Sequence, residues 1–275
     1  MMQDRKYHLS ESTYFKVLGC ASNSSTGPTS SFYLKIDGKG LLLDTGVDPI
    51  GRLACSEEDI TKLEAVVVTH SHSDHCSGFA NLVFTRKLLA KKLAHPPTPL
   101  SVYANMTTLE TLRKQLFTQY PDRSFEIKWA CVEEGIQHHI FNELKLSGLD
   151  NSHSVPTSSV RIDCNKGWSI GYQADGAPTP KYIDFFKEAT VLILQVHSLT
   201  QNKDELETLH KKGQSGLGDA KEIVSILSPS VTIPYHLPRS FFYDPRLKEL
   251  VRLALGKSSD IGINLLSGPW PSPDA

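Results

Sequence analysis

The apolar positions of this chain fall in short runs separated by polar, Gly-rich or Pro-rich stretches. Residues 14–18 read as a short strand, and 20–30, rich in Ser, Gly, Asn and Thr, read as a loop. From Ser31 to Asp37 apolar and polar side chains alternate, as in a half-buried strand. Gly38-Lys39-Gly40 turns the chain back into Leu41-Leu42-Leu43, which ends at Asp44-Thr45-Gly46. Residues 61–69 give the next strand with its approach, and its run Ala65-Val66-Val67-Val68 predicts a buried, β-branched strand. Spacing predicts a helix over 82–94, a stiff linker at 95–99, a strand at 100–104 and a helix over 107–120. A β-rich middle follows, at 124–131, 136–141, 144–149, 158–164 and 168–173. The pattern then predicts a helix at 181–188, an apolar strand at 190–194 leading to His197, and helices at 206–212 and 219–227. A strand at 230–234 leads to His236, and a last helix covers 245–255. This alternation excludes an all-α protein and predicts layered α/β architecture. No repeat is present and no linker is long enough to divide the chain, so one domain over 1–275 is expected.

Composition adds exclusions. With 275 residues the chain can bury one large core or two small ones. A formal net charge of −1 gives no global field for nucleic acid or an anionic membrane. Residues 1–12 are polar, without an apolar signal core, and no run approaches the roughly 18 apolar residues of a membrane span. A cytoplasmic protein is expected. The five cysteines are scattered, with no CxxC pair, and suggest neither a disulfide framework nor a zinc knuckle.

The chemistry concentrates in His70-Ser71-His72-Ser73-Asp74-His75, four potential metal ligands within six residues, just after a buried strand. Imidazole and carboxylate suit Zn, Mn or Fe. His70 and His72 are two apart, so an extended backbone would aim both to one side. Asp74 and His75 lie past the strand and can turn toward a second point. Cys76 adjoins them, either as a small buried residue beginning a helix or as a group near a metal. Further along, His153, Asp175 and His236 each stand at or just beyond the C-terminal end of an expected strand. Such ends gather on one rim of a sheet. Taken singly, each of the three also reads as an ordinary surface or core residue.

In order, Leu43-Asp44-Thr45-Gly46, the HxHxDH run, His153, Asp175 and His236 resemble the metallo-β-lactamase superfamily, over about residues 14–240. The resemblance implies a four-layer αββα sandwich with a dinuclear site along one edge. It implies that His70, His72 and His153 hold one metal, that Asp74, His75 and His236 hold the other, and that Asp175 bridges them. Asp44 is then the aspartate that supports the ligands without being one. Aspartate at the bridging position is unlike the antibiotic-degrading branch, which has cysteine there. More closely, residues 151–156 and 170–175 are similar to segments of the RNase Z-type phosphodiesterases. Two positions depart from those enzymes. Ser198 stands where they carry the glutamate of His-Glu-x-Thr, and Gln214 where they carry the histidine of Gly-His-Ser. Neither titrates near neutral pH, so their proton relay is missing in that form. Their tRNA-binding arm lies between the third histidine and the bridging aspartate. Here that gap is 175 − 153 = 22 residues, already filled by two expected strands.

These features imply a metal-dependent hydrolase of small phosphodiesters, cyclic nucleotides above all. Two divalent ions, Zn2+ first and Mn2+ or Fe2+ otherwise, would hold a bridging hydroxide that attacks phosphorus in line. Asp74 and His197 are the residues expected in the chemistry, His197 as donor to the leaving oxygen. Tyr235, Tyr243 and Arg239 are candidates to bind substrate, with Phe241 and Phe242 beside them. All have an ordinary packing or solvated alternative. Arg86, Lys87, Lys91 and Lys92 suggest either an anion path or a solvated helix face. A homodimer is the expected assembly, and a nucleic acid polymer is the weaker expectation for a partner. The alternatives are an RNase Z-like RNA endonuclease, a lactonase or thioesterase, and a nucleotide-binding protein that keeps the metals without turnover.

Overall fold

The computed structural model describes residues 6–23, 27–93 and 98–259. The expected linker at 95–99 lies largely outside them. The chain forms two compact units, one of Met1–Gly19 with Pro28–Cys131, the other of Cys20–Gly27 with Val132–Ala275.

The first unit is built on seven strands: β1 (Tyr7–Ser10), β2 (Thr13–Gly19), β3 (Ser31–Ile36), β4 (Lys39–Leu43), β5 (Leu63–Val67), β6 (Leu100–Ala104) and β7 (Ile127–Cys131). They lie in the sheet in chain order. Pairing is antiparallel from β1 to β4 and parallel from β4 to β7. Antiparallel neighbours need only tight turns, whereas the parallel ones need crossovers. The crossovers carry α1 (Pro49–Cys55), α2 (Ser73–Cys76), α3 (Phe79–Lys92) and α4 (Met106–Gln119). Phe79, Leu82 and Val83 of α3 and Leu109, Leu112 and Leu116 of α4 recur at helical spacing and enter one core with Leu42, Val66, Val68 and Val102. Parallel β4, β5 and β6 bring their C-terminal ends to one rim. Asp44, the 69–75 segment and Asn105 therefore emerge together.

The second unit repeats the scheme with β8 (Gln137–Ile140), β9 (Leu144–Asn151), β10 (Thr157–Cys164), β11 (Ser169–Tyr172), β12 (Val191–Gln195) and β13 (Val231–Tyr235), also in chain order. Strands β8 to β11 are antiparallel and β11 to β13 parallel. Strands β9 and β11 both oppose β10, so they run the same way. The rim thus collects the chain after β9, β11, β12 and β13. The helices are α5 (Lys181–Phe185), α6 (Lys203–His210), α7 (Leu217–Leu227), α8 (Arg239–Tyr243) and α9 (Pro245–Leu255). Strand β12 is buried along its whole length, which explains its unbroken apolar run up to Gln195. Among the described residues no helix is long and apolar enough to cross a membrane.

Periodicity misplaced some elements. Helix α3 begins at Phe79, ahead of the predicted start, and α5 ends at Phe185, before the predicted end. Strand β1 and helices α1, α2 and α8 are too short for a periodic signal. The basic face of α3 is also not uniform. Lys91 and Lys92 are exposed, but Arg86 is buried. Its Nε donates to the Leu63 carbonyl at 2.6 Å, and its Nη2 donates to the carbonyl and hydroxyl oxygens of Thr98 at 2.8 and 3.1 Å. Burial lowers its pKa. Arg86 is a strut between the start of β5 and the segment entering β6.

Replacing that strut has a measurable cost. Arg86→Lys keeps the charge but loses the planar fork, and should cost roughly 1–3 kcal/mol in urea denaturation. A loss below about 0.5 kcal/mol, the usual range for surface positions, would show that the strut carries no weight.

Candidate metal centre

On the rim of the first sheet, Asp44 comes directly after β4 with a left-handed backbone, φ 58. Aspartate tolerates this conformation better than most residues. The turn aims its carboxylate, which is fully buried, across the start of the next crossover. Oδ1 accepts from the Thr69 backbone N–H at 2.8 Å, and Oδ2 from the Thr69 hydroxyl at 3.0 Å. Oδ2 also accepts from His75 Nδ1 at 2.6 Å. One carboxylate therefore holds both ends of the 69–75 segment. Backbone bonds close the same knot, Thr45 N–H to His75 O at 2.7 Å and Gly78 N–H to Thr45 O at 2.9 Å.

These bonds set the imidazole tautomers. His75 spends its Nδ1 proton on Asp44, so its Nε2 keeps a lone pair, 3.7 Å from Asp74 Oδ2. The Thr69 hydroxyl gives its one proton to Asp44, so at His70 Nδ1, 3.0 Å away, it acts as acceptor. His70 Nε2 then also carries no proton, and it lies 3.2 Å from His72 Nδ1. An extended strand does not bring these two rings together, as the sequence suggested. Strand β5 stops at Val67, His72 caps α2, and Asp74 and His75 sit within that one-turn helix. Cys76 closes α2, buried; its Sγ contacts the Ser71 carbonyl at 3.3 Å, and burial pushes the thiol pKa up to about 11. None of the five cysteines is in a disulfide.

The rim of the second sheet carries Asp175, His153 and His236. Asp175 is 1% exposed. Its Oδ1 accepts from the Tyr235 hydroxyl at 2.7 Å, and its Oδ2 lies 3.0 Å from His236 Nε2. Asn151 Nδ2, at the end of β9, donates to the carbonyls of Ala174 and Asp175. His153 Nδ1 donates to the Gly213 carbonyl at 2.7 Å, which leaves its Nε2 unprotonated. His236 follows β13 with a left-handed φ of 59, the counterpart of Asp44 after β4. His197 follows β12, and its Nδ1 lies 3.3 Å from His236 Nδ1. His197 is exposed, yet partial desolvation and then His236 lower its pKa.

His70, His72, Asp74 and His75 of the first unit, and His153, Asp175 and His236 of the second, belong to residue groups able to hold a metal ion. The donor chemistry fits a cation. Three imidazoles present unprotonated Nε2 atoms, and the buried carboxylates of Asp44, Asp74 and Asp175 each lie within 3.7 Å of an imidazole nitrogen. Buried carboxylates are costly without positive charge nearby.

Other expected residues fall differently. Tyr235, expected against substrate, is fully buried, its hydroxyl on Asp175 and its ring edge-on to Tyr172 with centroids 5.1 Å apart. Phe241 and Phe242 are buried, Tyr243 is half-buried, and the side chain of Arg239 lies outside the described residues. Ser198 accepts from the Thr200 N–H at 3.3 Å in a local turn. Sequence reasoning missed Thr69, Asn105, whose Nδ2 donates to the Thr69 carbonyl at 3.2 Å, and Gln195. Gln195 did leave a signal, as the polar end of an otherwise apolar strand.

The fold and this donor set have counterparts among known proteins. The Beta-lactamase superfamily domain matches residues 40–237, and the chain belongs to that family. It is 24% identical over 239 residues to Zinc phosphodiesterase ELAC protein 2 of Gorilla gorilla gorilla, covering 78% of this chain but only 28% of that protein. It is 22% identical over 244 residues to Ribonuclease Z of Methanococcus maripaludis, covering 70% of this chain and 76% of that one. Among solved structures, the metallo-beta-lactamase fold protein YhfI from Bacillus subtilis is similar with a TM-score of 0.73 at 20% identity, covering 88% of this chain and 93% of that chain. The fold is that of the metallo-β-lactamases, as the sequence implied.

The knot around Asp44 leaves no room at Gly46. A Cβ there would lie 2.2 Å from Thr29 Oγ1 and 2.5 Å from the Asp74 carbonyl. Gly46→Ala should therefore destabilise by roughly 1–3 kcal/mol. Thermal and urea unfolding check this, and an unchanged midpoint would mean that the 69–78 segment is not held as described.

Proposed function

We propose that this protein is a dinuclear metal-dependent phosphodiesterase acting on a small phosphodiester, with cyclic nucleotides the leading class. The observation that carries the small substrate is the stretch from His153 to Asp175. Strands β10 and β11 and their turn take up most of it, with no inserted arm. In this reading His70, His72 and His153 hold one ion, Asp74, His75 and His236 hold the second, and Asp175 is shared. Zinc suits the imidazole-rich set best, with manganese and iron next. When bound, such a pair activates water at neutral pH and neutralises charge on a phosphate.

The chain's own groups then orient the reaction. Asp44 fixes His75 in the tautomer that ligates, and Asp74 completes the same ion's ligands. Tyr235 orients Asp175 from beneath; it is a positioning residue and not a contact for substrate. His197, beside His236, is the candidate proton donor to the leaving oxygen, although its lowered pKa works against that role. A second reading is RNA cleavage, supported by the similarity to a ribonuclease Z over 70% of this chain.

The decisive assay is turnover by metal-reconstituted protein of cyclic mono- and dinucleotides and bis-p-nitrophenyl phosphate, with a structured tRNA precursor alongside. Hydrolysis of a cyclic nucleotide with intact tRNA is expected. Cleavage of the tRNA supports the second reading, and silence with two bound metals overturns both. A separate test bears on the ligands. Asp74→Ala and His75→Ala should each lower metal content toward one ion per chain and cut turnover by about 100-fold or more, the scale of losing metal-assisted catalysis. Near-normal turnover with two ions retained would refute the assignment.

A further inference from the structure

Gln195 ends β12, fully buried, and its hydrogen bonds fix its orientation. Its Oε1 accepts from the backbone N–H groups of Gly176 at 3.1 Å and Ser215 at 3.2 Å. Backbone N–H groups only donate, so that atom must be the oxygen. The Gln195 Nε2 donors then face the other way, where they meet Gln214 Oε1 at 2.6 Å. A donor there requires an acceptor, so the Gln214 carboxamide is fixed in turn. Its oxygen is committed to Gln195 and its NH2 group points away. No hydrogen bond from that NH2 is formed among the described residues, and Gln214 is half-buried.

The surroundings of this NH2 are informative. Gly213, one residue earlier, receives His153 Nδ1, and Gly176, held by Gln195, follows Asp175. The Gln214 carboxamide therefore adjoins the segments that carry two expected metal ligands. We propose that Gln214 is a fixed, non-titrating hydrogen-bond donor to the phosphoryl oxygens of the substrate, and that Gln195 is the positioning residue that sets its polarity. The inference rests on the reading that this site takes a phosphate-bearing anion. A neutral donor suits an anion site, because it binds at every working pH and cannot transfer its proton.

The test uses inorganic phosphate as the probe, titrated into the full-length protein loaded with metal, with metal content measured in parallel. Gln214→Met removes the donor at similar volume. Gln195→Glu keeps the acceptor for Gly176 and Ser215 but leaves nothing to donate to Gln214. The Gln214 amide should then turn over and present its oxygen outward. Both variants should weaken phosphate binding roughly ten-fold or more while keeping the wild-type metal content. The double variant should be no weaker than Gln214→Met, because Gln195 acts through Gln214. Phosphate affinity within two-fold of wild type in Gln214→Met overturns the proposal. So does a loss confined to Gln195→Glu, which would mean that Gln195 acts through the backbone. Absence of phosphodiesterase activity in the wild type, with Gln214-dependent phosphate binding intact, would refute the proposed reaction and leave this assignment standing.

Discussion

The bond between the Asp44 carboxylate and His75 Nδ1 is the constraint on which the first half of the site depends. A carboxylate with no exposure is stable only if its oxygens are filled, and here Thr69 and His75 fill them. The left-handed backbone at Asp44 costs of the order of 1–2 kcal/mol. That cost is offset by the hydrogen bonds that the carboxylate accepts from Thr69 and His75. In return the segment loses its freedom: Thr69 and His75 are held at its two ends, and His70 and His75 take defined tautomers. A strained residue at the end of a strand and a segment of oriented imidazoles are thus one feature.

The second sheet solves the same problem with neutral groups. Asp175 is held by a tyrosine hydroxyl on one oxygen, and by the amides of Asn151 and Gln195 on its backbone neighbours. A lysine or arginine in their place would cancel the negative charge that a cation needs. Hydroxyls and carboxamides fix position without doing so. The same logic explains the tyrosine: fully buried, its phenol donates to Asp175 Oδ1 without adding charge.

What could be read from the sequence follows from how local each signal is. The HxHxDH run was legible because its candidate ligands are close in sequence, and β5, β12 and β13 were legible because they are buried strands in which apolar residues predominate. The one-turn helix holding Asp74 and His75 was not, since four residues carry no period. Arg86 looked like part of a solvated face because spacing cannot reveal that Leu63 and Thr98 present carbonyls to it. Tyr235 looked like a substrate contact because it adjoins His236, yet its side chain is fully buried and its hydroxyl is taken by Asp175. The Gln195–Gln214 pair joins residues 19 apart, beyond any local pattern.

The positions that depart from the RNase Z-type pattern share one character. Ser198 closes a turn and accepts from Thr200, its carbonyl takes the Leu217 N–H at 2.9 Å at the start of α7, and Gln214 is locked to Gln195. Both sit in ordered backbone, so the fold around them is maintained while their capacity to move a proton is gone. If the proposed reaction holds, this limits the substrate. A leaving oxygen that needs protonation as its bond to phosphorus breaks would depart slowly where only Ser198 and Gln214 stand at the relay positions, since neither titrates near neutral pH. An oxygen that leaves as a stable anion, or whose departure relieves ring strain, makes no such demand. Ser198 and Gln214 at the relay positions, and the short stretch from His153 to Asp175, are thus the two features on which the small-substrate reading rests.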